Sequence, residues 1–98
     1  MNDYQSYHQV QLRFPAEAVA PGMEFFYEGK RLMVGTIMPQ TLAHDNIPPD
    51  GYSMQFELLH DGRRAGAAWF YFYRSMEGVQ WGVLDEMTLT TDAVSSAH

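Results

Sequence analysis

Hydrophobic and polar positions alternate along most of this chain with the period of two that marks β-strands. Between His8 and Phe14, the side chains of His8, Val10, Leu12 and Phe14 fall on one face, and those of Gln9, Gln11 and Arg13 on the other. Pro15 ends that strand, because proline has no N–H for a sheet ladder. Residues 23–28 and 31–38 read as a hairpin turning at Glu28-Gly29-Lys30, where Gly29 supplies the positive φ of a tight turn. Met23, Phe25 and Tyr27 share one face of it, as do Leu32, Val34 and Met38. Gly35, inside the second arm, marks a bulge or a close backbone approach. Residues 52–59 alternate again, with Tyr52, Met54, Phe56 and Leu58 inward and Ser53, Gln55 and Glu57 outward. Val79, Trp81 and Val83 form one face of a last strand, and residues 85–89 add a further short strand or a helical turn.

One segment breaks the alternation. In Ala67-Ala68-Trp69-Phe70-Tyr71-Phe72-Tyr73 no charged or amide side chain interrupts the run. Successive strand residues point to opposite faces, so Trp69, Tyr71 and Tyr73 cover one side and Phe70 and Phe72 the other. An antiparallel strand with one wet face does not read this way. Both faces of this strand therefore need cover, and short turns at His60-Asp61-Gly62-Arg63 and Ser75-Met76-Glu77-Gly78 make it the middle of a three-stranded meander.

These elements predict a mainly β fold of about six antiparallel strands, curled into a small barrel or folded as a two-layer roll. Gly35, Gly66 and Gly82 are placed for sharp bends. The alternative is an α+β arrangement in which residues 16–20 form one short docked helix, although a single turn is not stable alone. Residues 39–51 form a long connection containing His44-Asp45 and the turn residues Pro49-Asp50-Gly51. Such a loop is either functional or a crossing between sheet layers.

Composition narrows the class. The 98 residues, 46% of them hydrophobic and 14% aromatic, make one domain over residues 1–98, with residues 90–98 expected as a flexible tail. No cysteine is present, which removes disulfides, thiolate metal sites and cysteine nucleophiles. The first residues carry neither a basic nor an apolar leader, and no apolar run approaches the roughly 20 residues that span a bilayer, so a cytoplasmic, membrane-free protein is expected. A net charge of −6 opposes contact with phosphate backbones and disfavours nucleic acid as a partner.

Candidate chemistry is sparse. His44-Asp45 and His60-Asp61 are weak candidates for a metal site or a general-base pair, because imidazole and carboxylate suit both. His60-Asp61-Gly62 is equally explained as a hairpin turn, and His8 as a histidine at the core edge. No serine lies in a Gly-x-Ser-x-Gly elbow, Asp85-Glu86 points to opposite faces of a strand and suits solvent, and no glycine-rich phosphate loop occurs. No cofactor is implied. The binding candidates are Trp69, Tyr71, Tyr73, Arg74 and Trp81, since Trp, Tyr and Arg dominate interface hot spots. The expectation is a non-catalytic cytoplasmic interaction or accessory protein, binding a protein partner or itself as a homodimer through an aromatic, acidic surface. A small-molecule-binding β-barrel is the alternative, and a metal-dependent enzyme using the His-Asp pairs the third.

Overall fold

The computed structural model describes residues 4–38 and 51–91. Within them the chain forms seven antiparallel strands: β1 (Tyr4–Tyr7), β2 (Leu12–Pro15), β3 (Glu24–Tyr27), β4 (Lys30–Met38), β5 (Tyr52–His60), β6 (Arg63–Arg74) and β7 (Gln80–Thr90). All belong to one sheet of order β1-β7-β6-β5-β4-β3, with β2 also paired to β7. The sheet is curled into a half-barrel, mainly β as the alternation predicts. Strands β3 to β7 form a plain meander, and the N-terminal strands return to lie beside β7.

β1 and β2 occupy one column of the sheet. β1 pairs with the far half of β7 (Tyr4 opposite Thr90) and β2 with the near half (Leu12 opposite Leu84). Of the expected strand over residues 8–14 only Leu12–Phe14 is strand, and a separate strand, β1, precedes it. The cause is local: Gln9 and Gln11 take φ of 55° and 60°, a left-handed conformation that a ladder cannot include. His8 is consequently exposed rather than at the core edge, while Val10, Leu12 and Phe14 keep their inward contacts.

The hairpin turns follow the sequence closely. Glu28-Gly29 (φ 50° and 79°) and Asp61-Gly62 (φ 53° and 77°) are two-residue turns with both central residues left-handed, the hairpin type whose twist matches the flanking strands. Ala16–Ala18 is a single 3-10 turn instead of a docked α-helix, which removes the α+β alternative. β7 runs unbroken past residues 85–89 to Thr90, the first residue of the expected tail; residues 92–98 lie outside the described residues.

Three register shifts bend the sheet. Gly35 and Thr36 bulge between Val34 and Ile37 of β4, Ala65 is extra in β6, and Asp85 is extra in β7. Bulges of this kind raise local twist and re-aim the residues beside them. Gly66 sits at the second shift, where a Cβ would run into the backbone carbonyl of Thr88. Gly82 keeps regular register, and its missing side chain leaves room for Phe72 and for Val19 of the 3-10 turn.

The concave face holds the core. Phe70 is fully buried at its centre, edge-on to Phe56 (5.6 Å between centroids), and tilted or stacked against Phe14 (6.4 Å) and Phe72 (6.5 Å). Leu32, Val34, Leu58, Leu84, Met87 and Leu89 complete it. The two sheet edges approach each other through side chains: Tyr7 meets Tyr27 at 5.4 Å, and Phe14 meets Phe25 at 6.0 Å. One inward assignment is displaced. Tyr52, at the start of β5, is 59% exposed, and the adjacent Ser53 is buried opposite Tyr71.

Gly66→Ala should destabilise the fold by about 2–4 kcal/mol or prevent folding, because the clash is with backbone that cannot step aside. Urea denaturation checks this. A variant within about 0.5 kcal/mol of wild type, the usual range for innocuous surface changes, would show that β6 and β7 are not held this closely.

Candidate functional site

The convex face of the sheet is where the aromatic residues of the sequence gather. Along β6 burial alternates: Ala68, Phe70 and Phe72 are buried, while Trp69, Tyr71 and Tyr73 are half-buried on the opposite face. Pairing extends this face sideways. Tyr73 lies opposite Trp81 of β7, which lies opposite Pro15 of β2; Tyr71 lies opposite Val83, which lies opposite Arg13. The Tyr71 and Tyr73 rings are 6.0 Å apart, and the Arg13 guanidinium sits 4.6 Å above the Trp81 ring. That cation–π contact ties the Arg13 side chain to the indole. Trp69, Tyr71, Tyr73 and Trp81, read from the sequence as binding residues, therefore form one continuous outer surface.

A polar centre is set into this surface by the β7 bulge. The inserted residue, Asp85, is only 4% exposed, and Gln11 Nε2 donates to its Oδ1 at 2.8 Å. The expectation of a solvent-facing Asp85 is thus corrected: the extra residue in the ladder places its carboxylate under the Gln11 side chain. Gln11 also hydrogen-bonds Tyr71. Burial raises the Tyr71 phenol above its ordinary pKa of 10.0, with the Asp85 carboxylate and Tyr73 adding to the rise and the Gln11 hydrogen bond opposing it. Gln11, Arg13, Tyr71, Tyr73 and Val83 surround a hollow of about 450 Å³ above this centre. Further along, Glu86 lies opposite Trp69 with His8 Nδ1 3.4 Å from its Oε1, and Arg64 pairs with Glu57 at 3.5 Å.

Gln11 and Arg13 were legible only as the polar side of an alternating segment. That they face Tyr71 and Trp81 follows from the pairing of β2 with β7, some 70 residues away in sequence, which periodicity does not specify. Arg74, the remaining binding candidate, is set apart from Trp69, Tyr71 and Trp81 and shares a hollow only with Tyr73 among the four rings. By strand alternation it falls on the Phe70–Phe72 side, exposed at the end of β6, where it borders a second hollow beside Tyr52, Phe72 and Gln80.

Of the two His-Asp pairs, only His60-Asp61 falls among the described residues. His60 Nδ1 donates to the Arg31 carbonyl at 3.1 Å, and its Nε2 lies 3.5 Å from Asp61 Oδ2 at the hairpin turn. His44 and Asp45 lie outside the described residues. Among the described residues, no group of three or more His, Asp or Glu side chains is arranged to hold a metal ion, and no helix is long and apolar enough to cross a membrane. No protein-family model, curated protein or solved structure matches the chain.

The raised Tyr71 pKa has a signed consequence for stability. Below about pH 10 the phenol is neutral in folded and unfolded chains alike; above it the unfolded chain ionises first, so stability falls as pH rises. Melting temperature measured across the alkaline range should decline less steeply for Tyr71→Phe than for wild type. Identical slopes would mean that the surroundings of Tyr71 in the fold do not hold its phenol neutral.

Proposed function

We propose that the chain is a non-catalytic, cytoplasmic interaction protein that works by pairing its outer aromatic face with a second copy of itself. The observation that carries this reading is the exposed half of Trp69, Tyr71, Tyr73 and Trp81 on one contiguous sheet face. Large rings of this kind lose little conformational entropy on contact and bury much apolar area, which is why they anchor interfaces. A standard interface needs only about 800 Å² from each partner.

The charge pattern favours a second copy as the occupant. A chain of net charge −6 repels its like unless contact is made across a patch of low charge. The outer face supplies that patch: its rings and Val83 are uncharged, Asp85 is buried under Gln11, Glu86 is beside His8, and Arg13 contributes a positive charge. The absence of cysteine from the sequence is compatible with a reducing compartment.

Tyr71→Ser and Tyr73→Ser test this. Each removes a ring from the centre of the proposed contact and should weaken association by roughly 30-fold or more, the scale of an interface hot spot. Light scattering behind a sizing column should report a dimer for wild type and a monomer for each variant, with the far-ultraviolet circular dichroism of the sheet retained. A monomeric wild type, or variants that unfold or remain dimeric, would overturn the reading.

A further inference from the structure

The opposite surface of the sheet opens at one end, and of the residues there only Tyr73 also belongs to the outer face. Gly82 leaves space over which Val19 and the 3-10 turn fold, and between that turn and the ends of β4 and β5 lies a cavity of about 350 Å³. Val19, Ile37, Met54, Phe56 and Phe72 give it apolar walls, and Glu17 and Gln80 are its polar rim. A second hollow of about 210 Å³ adjoins it, sharing Ala16, Tyr52, Phe72 and Gln80, and bordered by Arg74. Together they surround one stacked pair, Tyr52 on Phe72, with centroids 5.1 Å apart and planes at 21°.

Two features of this mouth point to a ligand of defined chemistry. Tyr52 and Ile37 are 59% and 51% exposed, so among the described residues apolar surface at the rim is left uncovered. Arg74 forms no ion pair or ring contact among the described residues, although the chain has twice as many acids as bases, 12 against 6. An unpaired guanidinium beside a stacked aromatic pair matches a planar ring carrying a carboxylate: the ring lies against Tyr52 and Phe72, and the carboxylate accepts the forked N–H groups of Arg74. Gln80 adds an amide on the same side. The space suits a small molecule, at the lower end of the range for ligand cavities. We propose that the mouth of the half-barrel binds a small aromatic carboxylate, with Tyr52 and Phe72 as the stacking platform and Arg74 as the anion partner.

This site shares only Tyr73 with the outer face, and the experiment keeps the two apart. Naphthalene-2-carboxylate is the probe, titrated into the full chain and followed by isothermal calorimetry. Saturable one-to-one binding with Kd of roughly 0.1–1 mM is expected for a ligand of this size. Arg74→Ala should weaken it by about tenfold, the worth of a charge-assisted hydrogen bond, and Tyr52→Ala by a similar factor. Tyr71→Ser, on the other side of the sheet, should leave affinity unchanged whatever it does to the dimer. Naphthalene-2-methylammonium, of the same shape and opposite charge, should not bind measurably. No saturable heat with the carboxylate, an unchanged Kd in Arg74→Ala, or equal binding of the cation would each overturn the proposal.

Discussion

The structure depends on how strand β6 disposes of aromatic side chains on both of its faces. Phe70 and Phe72 go to the concave side, and the sheet curls around them, so that Phe14, Phe25 and Phe56 arrive from three other strands. Burying a ring of this size contributes about 1.5–3 kcal/mol, and each favourable ring pair roughly 0.5–1.5 kcal/mol beyond that. Curling in turn exposes the convex face, where Trp69, Tyr71 and Tyr73 are left with neighbours beside them and, among the described residues, no layer above. One sequence feature therefore accounts for both the core and the half-exposed aromatic face.

The bulges convert this arrangement into specific chemistry. The extra residue Asp85 interrupts the alternation of β7. With it, a buried carboxylate, an amide and a phenol form a connected polar centre beneath the rings. The 3-10 turn at Ala16–Ala18 does comparable work at the end of the concave side. It places Val19 against Gly82 but leaves Tyr52, Ile37 and Arg74 at an open rim.

Much of this was legible in the residues. Alternation located β3, β4 and β5 and the inward set Phe25, Leu32, Val34, Phe56 and Leu58; the unbroken aromatic run located β6; Gly29 and Gly62 located the turns; Gly35 located a bulge. What escaped has identifiable physical causes. Gln9 and Gln11 adopt a left-handed conformation that neither favours intrinsically, imposed by the need to pair both β1 and β2 with one long neighbour. Asp85 is buried because a register shift moves it, and register is a property of two strands together. The site on the outer face was half legible: the rings are on one strand and its neighbour, whereas Gln11 and Arg13 come from the other end of the chain. Tyr52 at the mouth was misplaced because alternation carries no information about where a sheet ends.

Both tryptophans of the chain, Trp69 and Trp81, lie on the outer face, so their fluorescence reports on that surface alone. The most direct test of the central claim is their emission and acrylamide quenching measured across the range of protein concentration over which the mass is followed. If the outer face is covered by a second copy, emission shifts to shorter wavelength and quenching falls as concentration rises. If emission and quenching are the same at every concentration, the rings stay in contact with water and the face is not the place where this protein meets itself.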